Sequence, residues 1–253
     1  MDDLALLSLA ADLAQQAGSL ILAVRARGFE TRSKADSSPV TEADHAAEAL
    51  IVAGLRRAAP RIPVVAEEET AAGRVQSMAC EAWLVDPLDG TREFAAGRDD
   101  FAVNIGLVRD GRPVLGVVGV PAYGELFGGI VGGGAWKRDA AGERAIAARR
   151  PPAAGLAVIA SRTLAADPLA AEFLVGYSVA SVSNMGSAVK FCRMAEGRFD
   201  LYPRFGRTME WDTAAPQALL EAAGGTVRTL DGAALGYGKA GWENPPFVCF
   251  GAA

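Results

Sequence analysis

The sequence has 253 residues, of which 51% are hydrophobic and 22% are charged. This length and composition exclude a disordered chain and allow one large domain or two smaller ones around a sizeable buried core. The net charge of −5 excludes a global positive field that would attract a nucleic-acid polymer or an anionic membrane, so a phosphate group must be met by metal ions or local basic side chains.

The amino terminus does not resemble a secretory signal, because Asp2 precedes and Asp12 interrupts its apolar residues. The longest uncharged stretch, residues 173–189, contains too many polar side chains for a membrane span, so we expect no transmembrane helix. The three cysteines are far apart and lack the spacing of a zinc site or a disulfide framework. These features predict a cytoplasmic protein with reduced thiols.

The first half of the chain predicts two helices followed by strands. Apolar residues at helical spacing predict a helix from Leu4 to Val24, and a second helix is predicted from Thr41 to Pro60. Asp110-Gly111 lies between two apolar runs, which indicates a hairpin. We expect one antiparallel sheet from the strands at residues 62–66, 83–85, 101–108 and 114–120.

The second half predicts alternating strands and helices. Glycines crowd residues 128–134, and Arg149–Pro152 interrupts the chain before the next strand. We therefore predict an N-terminal α+β domain over residues 1–140 and a C-terminal α/β domain over residues 141–253, with helices packed on a sheet. Its predicted strands are 156–160, 199–202 and 226–229, and its predicted helices are 186–195 and 213–223.

Two carboxylates follow the apolar strand at residues 83–85, in the segment Asp86-Pro-Leu-Asp-Gly-Thr91. Mg²⁺ prefers oxygen ligands and commonly takes carboxylates together with substrate phosphate oxygens. Asp86, Asp89 and the Leu88 carbonyl can supply such ligands, and the amides of a short helix opened by Gly90 and Thr91 would favour a phosphate. The alternative is ordinary turn chemistry, because Asp, Pro and Gly are all common turn residues.

Other acidic positions also admit two interpretations. Glu67-Glu68-Glu69 follows a strand and, taken alone, is typical of a solvated loop. Asp212 stands at the head of a helix, where it can be an N-cap. Thr41-x-x-Asp44 fits a capping box, yet Asp44 can equally orient a metal-bound water with the Thr91 hydroxyl as its relay.

Taken together and in order, the Glu67-Glu68 pair, the Asp86–Thr91 segment and Trp211-Asp-Thr-Ala-Ala resemble the motifs of the inositol monophosphatase superfamily of magnesium-dependent phosphatases. The resemblance spans nearly the whole chain. It implies an α/β (α+β) fold, a layered α/β/α/β/α sandwich, and a phosphomonoesterase that uses two or three Mg²⁺ ions. It also implies that Asp44, Thr91 and Glu67 are catalytic. The implied metal ligands are Glu67, Asp86, the Leu88 carbonyl, Asp89 and Asp212.

Three strings resemble the CysQ-type branch of that superfamily, the 3′(2′),5′-bisphosphate nucleotidases: Ser33–Asp44, Gly186–Cys192 and Leu201–Gly206. That branch removes the 3′-phosphate of adenosine 3′,5′-bisphosphate and leaves AMP. The resemblance implies that the substrate is held by Gly90, Thr91, Ser187, Lys190 and Arg204. Arg suits bidentate phosphate contact and Lys suits charge neutralisation. The alternative for Lys190 and Arg204 is exposed surface charge.

Three positions bear on how far the resemblance extends. Pro216 replaces the usual Gly after the Trp-Asp motif, and a proline there restricts how the helix begins and can change the aim of Asp212. Leu164 stands where relatives of this branch often have His, which weakens the inference about base contacts. His45 has no partner at metal-ligand spacing, so we expect an exposed helix residue.

The sequence leaves two rival functions open. One is another phosphatase of the superfamily, acting on inositol monophosphate, histidinol phosphate or a sugar phosphate. The other is a catalytically silent protein that binds phosphorylated ligands. In each case we expect a small phosphorylated molecule as partner, no nucleic-acid polymer, and a monomer or homodimer.

Overall fold

A computed structural model describes residues 1–33, 39–74, 80–162 and 168–253. Its helices are α1 Asp3–Arg27, α2 Glu42–Ala58, α3 Glu67–Ala71, α4 Thr91–Ala95, α5 Pro168–Leu174, α6 Val189–Ala195 and α7 Glu210–Ala222. Its strands are β1 Thr31–Ser33, β2 Pro39–Thr41, β3 Val64–Ala66, β4 Glu81–Asp89, β5 Ala102–Arg109, β6 Arg112–Val120, β7 Glu125–Ile130, β8 Gly134–Asp139, β9 Gly142–Ile146, β10 Leu156–Ala160, β11 Val179–Asn184, β12 Leu201–Arg204, β13 Thr226–Thr229 and β14 Phe247–Phe250.

Seven strands form the first sheet, in the order β3-β4-β5-β6-β7-β8-β9. Asp110 and Gly111 join β5 to β6 with positive φ angles, as the hairpin prediction required. The expectation of a purely antiparallel sheet is wrong at one edge, because β3 runs parallel to β4. The connecting residues 67–80 include a helix and are long enough for the crossover that parallel strands need. Ala66 pairs with Val85 in this parallel pair, so the residues that follow them, Glu67 and Asp86, are also neighbours across the two strands.

The second sheet has the strand order β11-β10-β12-β14-β13. Strand β10 runs parallel to β11 and β12, whereas β14 is antiparallel to both of its neighbours. Successive side chains alternate between the two faces of a strand. Ile159 and Tyr202 therefore pack into the core that contains α6 and α7, while Val158 and Leu201 pack with Phe173 of α5 on the other side.

The elements stack in five layers. Helices α1 and α2 cover one face of the first sheet, with α1 against β6 and α2 against β4. Helices α6 and α7 lie between the two sheets, and α5 covers the outer face of the second sheet. The predicted α/β/α/β/α sandwich is therefore confirmed. The division into domains at residue 140 stays a prediction.

Helix α1 is the one helix in the described ranges whose length and apolar composition would suffice to cross a membrane. Half of its apolar window is buried inside the protein, with Leu6, Ala14 and Ile21 in the main hydrophobic core. Fully burying a Leu or Ile side chain contributes roughly 1.5–3 kcal/mol, so this face stabilises the sandwich. A core helix and a spanning helix share this composition, and the buried face of α1 is that of a core helix.

Candidate active site

Strand β4 carries Asp86 and Asp89 on either side of a β-bulge. Its pairing with β5 runs from Glu81 to Asp86, shifts register, and resumes at Asp89. A bulge bends the strand and redirects side chains, which makes it a common feature beside active sites. Asp86 Oδ1 accepts a hydrogen bond from the Leu88 amide at 3.0 Å, which fixes the irregular segment. The two carboxylates therefore lie within a bulged strand rather than in a turn after it.

The chain turns sharply at Gly90, which has a φ of 91°. A side chain is excluded there, because a Cβ would lie 2.9 Å from the Asp100 carbonyl oxygen. Helix α4 begins at the next residue, as predicted. The Thr91 hydroxyl lies 3.0 Å from Asp44 Oδ1 and 3.1 Å from the Leu88 carbonyl oxygen, so its single proton can be donated to only one of them at a time.

Asp44 both completes a helix cap and contacts Thr91. Its Oδ2 accepts bonds from the Thr41 amide at 2.8 Å and the Thr41 hydroxyl at 2.7 Å, which completes the capping box of α2. Its Oδ1 is left for Thr91. Burial raises the pKa of Asp44 above its ordinary value, and the hydrogen bonds from Thr41 oppose that rise. His45, the next residue, is exposed, as expected.

The acidic run Glu67-Glu68-Glu69 forms the first turn of α3, so the solvated-loop interpretation is wrong. The amides of Glu68 and Glu69 donate to the two oxygens of Glu48 at 2.7 and 2.9 Å. Glu69 also pairs with Arg56 at 2.6 Å. These contacts fix the start of α3, and thereby the position from which the Glu67 side chain extends.

The Glu48 carboxylate is buried, and burial raises its pKa to about 7. The sequence interpretation missed this residue. A signal was present, because Glu48 follows Asp44 by one helical turn of α2 and therefore faces the same side.

Asp212 lies in the first turn of α7, but it is not the N-cap. Met209 occupies the cap, and Asp212 Oδ2 accepts a bond from its amide at 2.8 Å. Pro216 lies inside the helix rather than at its start, so it does not set where α7 begins. The Asp212 side chain reaches the same cleft as Asp86 and Asp89.

Two glycines let α7 approach the first sheet at backbone distance. A Cβ at Gly106 would lie 2.5 Å from the Ala215 nitrogen, and a Cβ at Gly116 would lie 2.2 Å from the Ala215 oxygen. No side chain can occupy such a space without moving the helix. The small residues on β5 and β6 therefore set the height of α7 above the sheet, and with it the position of Asp212.

The predicted metal ligands line one cleft of about 730 Å³. It contains Glu67, Asp86, Leu88, Asp89 and Asp212, with Thr91 at its side. Burial, followed by the charges of Glu67, Asp89 and Asp212, raises the pKa of Asp86. Burial is also the main cause of the raised pKa values of Asp89 and Asp212. The cleft thus brings several carboxylates together, and the charges of Lys190 and Arg204 offset only part of the rise at Asp89.

The cleft offers the carboxylate oxygens and the Leu88 carbonyl oxygen to a divalent cation. All are hard oxygen donors, the set that Mg²⁺ prefers. Next to Asp86 across the strand pair, the fully buried Asn104 leaves both of its amide atoms without a hydrogen-bond partner. Such orphaned polar atoms beside repelling carboxylates fit a site that takes up an ion with its water. The donor set therefore fits Mg²⁺.

The carboxylates do not yet stand in a closed ligand shell. In the described part of the chain, no group of three or more His, Cys, Asp or Glu side chains is arranged to hold a metal ion. Each of three carboxylates accepts a hydrogen bond from a backbone amide: Asp86 from Leu88, Asp89 from Ala188 and Asp212 from Met209. Repulsion between like charges also keeps them apart.

A second cleft of about 380 Å³ opens from the first. The two share Asp89, Gly90, Arg204 and Asp212 in their walls. The second adds the predicted substrate-binding residues Ser187 and Lys190. The structure thus brings the predicted site residues into the walls of two adjoining clefts, except Asp44, which contacts Thr91. Asp89, Asp212 and Arg204 line both clefts, and Lys190 lines the second.

Lys190 is buried, so the surface-charge alternative is wrong for this residue. Its ammonium donates to the Ser187 carbonyl at 2.6 Å and lies 5.2 Å from the centre of the Tyr202 ring. Burial lowers its pKa to about 8, although the charge of Asp89 opposes the fall. Arg204 is only partly exposed and donates to the carbonyl oxygens of Gly206 and Arg207. Both cations are held in place by backbone oxygens.

Parts of two predicted motifs lie outside the described residues. Residues 34–38 of the Ser33–Asp44 string and Leu164 are among them. All three cysteines are free thiols, as predicted; Cys80 is exposed, whereas Cys192 and Cys249 are buried.

Comparison with known proteins agrees with this geometry. The CysQ 3′(2′),5′-bisphosphate nucleotidase of Salmonella typhimurium is 42% identical over 240 residues, which cover 93% of this chain and 95% of that protein. The CysQ of Escherichia coli K12 is 41% identical over the same share of each chain. The crystal structure of CysQ from Bacteroides thetaiotaomicron superposes with a TM-score of 0.81 at 33% identity, covering 98% of both chains.

The comparisons extend beyond the nucleotidases. An inositol monophosphatase from Anabaena superposes with a TM-score of 0.76 at 28% identity, covering 98% of this chain and 91% of that one. The model of the inositol monophosphatase family matches residues 2–246. The chain therefore belongs to the inositol monophosphatase family.

Proposed function

We propose that this protein is a Mg²⁺-dependent 3′(2′),5′-bisphosphate nucleotidase that converts adenosine 3′,5′-bisphosphate to AMP and phosphate. The observation that carries the proposal is the pair of adjoining clefts: the first carries Glu67 and Asp86, the second carries Lys190, and Arg204 lies in the wall that they share. A nucleotide with two phosphates presents two anionic groups far enough apart to occupy both. The 41–42% identity to CysQ nucleotidases over nearly the whole chain supports the same substrate.

In this proposal Glu67, Asp86, the Leu88 carbonyl, Asp89 and Asp212 hold two or three Mg²⁺ ions. Bound Mg²⁺ supplies charge stabilisation at the phosphoryl oxygens and lowers the pKa of a bound water. The acidic cleft would otherwise repel a phosphate, so its excess negative charge has a chemical purpose only with cations present. Glu48 keeps the α3 turn, and with it Glu67, in place.

Asp44 and Thr91 are proposed to remove the proton of the attacking water. The Thr91 hydroxyl passes a proton to Asp44 Oδ1 across their 3.0 Å contact and takes up the proton of the water. The raised pKa of Asp44 makes its carboxylate a better proton acceptor than an exposed one. The water oxygen then bonds to phosphorus as the bond to the 3′-oxygen breaks, and that oxygen takes up a proton from solvent to become the 3′-hydroxyl of AMP.

Ser187, Lys190 and Arg204 are proposed to hold the phosphate that is retained, with the nucleoside between the two clefts. The pKa of about 8 keeps Lys190 largely charged at neutral pH, and a bound phosphate would favour that form further. Arg204 adds a planar donor that suits bidentate contact.

The decisive experiment compares phosphate release from adenosine 3′,5′-bisphosphate and from inositol 1-phosphate, each with Mg²⁺ and with EDTA. We expect Mg²⁺-dependent release with a clear preference for the nucleotide in kcat/KM. A preference for the inositol ester would show that the protein is an inositol monophosphatase rather than a nucleotidase. Absence of turnover on every phosphomonoester tested would favour a silent phospholigand-binding protein.

A further inference from the structure

Asp100 is a buried carboxylate that none of the roles above uses. It lies in the loop between α4 and β5 with an exposed fraction of 5%. Its Oδ1 accepts the Tyr123 hydroxyl at 2.9 Å, while its Oδ2 accepts from Arg162 Nη2 and, at 3.4 Å, from the Gly186 amide. A buried charge is costly unless it is paired and hydrogen-bonded, so this carboxylate and its three donors hold each other in place.

The carbonyl oxygen of Asp100 packs against two glycines in the wall of the second cleft, Gly90 and Gly186. A Cβ at Gly90 would lie 2.9 Å from the Asp100 carbonyl oxygen, and a Cβ at Gly186 would lie 3.0 Å from the same atom. Gly90, with its φ of 91°, therefore admits only glycine, whereas a Cβ at Gly186 would also press on the Glu93 side chain at 2.6 Å. Gly90 opens α4 beside the acidic cleft, whereas Gly186 leads into α6. One residue thus sets the spacing between the turn assigned to the reacting phosphate and the turn assigned to the retained one.

The segment that follows Gly186 carries the groups assigned to the retained phosphate. Ser187 has a φ of 49°, a strained value for a residue with a side chain. The next amide, from Ala188, donates to Asp89 Oδ2. The Lys190 ammonium donates to the carbonyls of Ser187 and Met185 at 2.6 and 3.3 Å. A shift of Gly186 would therefore move the seryl hydroxyl and the ammonium together.

Asp100 also orients a second cation on the wall of this cleft. The Arg162 side chain is 44% exposed, lines the cleft and lies between Asp100 and Glu93, 3.8 Å from the latter. Arg98 Nη2 lies 3.5 Å from Oε1 of the same Glu93 carboxylate. Immobilising a free arginine costs side-chain entropy, and the two carboxylates restrict Arg162 before a ligand binds.

We propose that Asp100 is a positioning residue for the retained phosphate, which makes it a determinant of preference for substrates with two phosphates. The inference rests on the proposed function, because it assigns a task within that site. Asp100 acts through the Gly186–Lys190 segment and through Arg162, without touching the substrate. Its side chain contacts Gly186 and Arg162 and contacts neither Thr91 nor Asp44, so loss of the carboxylate should change the affinity of the second cleft rather than the chemistry.

The test uses the substitutions Asp100→Asn and Asp100→Ala in the full chain. Steady-state constants are measured for adenosine 3′,5′-bisphosphate and for adenosine 3′-monophosphate, which lacks the retained phosphate. The inhibition constant of AMP, which has only that phosphate, is measured alongside. For Asp100→Ala we expect about a tenfold rise in the bisphosphate KM and in the AMP inhibition constant, equivalent to about 1.4 kcal/mol. The kcat and the KM for the monophosphate should stay close to wild type.

The neighbouring Asp99 provides a matched control, because it pairs with Arg25 at 2.8 Å and does not line the second cleft. Asp99→Asn should leave all constants unchanged. Asp100→Asn keeps the side-chain shape and should show the same selective effect in a smaller degree, so it decides the question if Asp100→Ala does not fold.

Three results would overturn the role of Asp100. The first is an equal rise in KM for both substrates, which indicates a merely structural effect. The second is tighter binding of AMP in Asp100→Asn, which is expected if Asp100 only offsets the charge of Arg162. The third is an AMP inhibition constant that neither variant changes. Failure of the wild-type protein to hydrolyse the bisphosphate would instead contradict the proposed function itself.

Discussion

The hydroxyl of Thr91 lies 3.0 Å from Oδ1 of Asp44, and this contact joins the first turns of two helices whose residues are 47 positions apart. Asp44 is held by the capping box of α2, and Thr91 by the turn at Gly90. Neither side chain is free to adjust independently. The pair therefore has the fixed geometry that a proton relay needs.

Replacing Thr91 with valine removes the hydroxyl while keeping the shape of the side chain. Because the proposed relay runs through that hydroxyl, we expect kcat to fall about 100-fold, with little change in KM. His45→Ala, an exposed position on the same helix as Asp44, is the control and should have normal activity. A Thr91→Val enzyme with wild-type turnover would remove Thr91 from the mechanism.

Asp89→Asn should abolish Mg²⁺-dependent phosphate release without unfolding the protein. The substitution removes one proposed ligand and one of the charges that raise the pKa values of Asp86 and Asp212. In EDTA the variant should therefore be at least as stable as wild type by thermal unfolding. Asp110→Asn, in the exposed hairpin turn where φ is 50°, should preserve both activity and stability. Retained turnover in Asp89→Asn would exclude Asp89 as a ligand.

Glu48 should make the metal-free protein less stable as the pH rises. Burial raises its pKa from 4.5 to about 7, so the folded chain keeps a proton that the unfolded chain releases. Its contribution to stability is complete below a pH of about 4.5 and is lost as the pH rises through about 7. We therefore expect the urea midpoint of the wild type in EDTA, minus that of Glu48→Gln, to decrease as the pH rises from about 4.5 to about 7. A difference that is constant with pH would show that Glu48 does not titrate there.

The contact between α7 and the first sheet can be tested by adding one methyl group. Gly116→Ala places a Cβ 2.2 Å from the Ala215 oxygen, so we expect a loss of about 1–3 kcal/mol of unfolding free energy. The same change at Gly119, on the same strand, brings its Cβ no closer than 3.6 Å to a neighbour and should be almost neutral. Since α7 carries Asp212, Gly116→Ala should also weaken stabilisation by Mg²⁺. Equal effects at the two glycines would contradict the close packing.

Local patterns in the sequence predicted much of this architecture. Helical spacing predicted α1, and the capping residues Thr41 and Asp44 predicted the start of α2, because these signals depend on near neighbours. The direction of β3 was missed, since hydrophobic pattern does not encode parallel or antiparallel pairing. Residues 67–80 between β3 and β4 are long enough for a parallel crossover, and that length was the available signal.

The residues of the site also divide into those that the sequence could predict and those that it could not. The motifs of β4 and α7 predicted Asp86, Asp89 and Asp212 through their resemblance to a known family. Asp100 and Asn104 had no such signal, because their significance arises only from contacts with elements distant in sequence. Glu48 is intermediate, since its helical spacing from Asp44 was visible but its burial was not.

The most direct test of the account is the identity of the nucleotide formed from adenosine 3′,5′-bisphosphate, followed by ³¹P NMR with Mg²⁺ present. If the acidic cleft performs the hydrolysis while Lys190 and Arg204 hold the other phosphate, the products are inorganic phosphate and AMP with its 5′-phosphate intact, and EDTA stops the reaction. Formation of adenosine 3′-monophosphate, or release that continues without a divalent cation, would contradict the assignment of the two clefts.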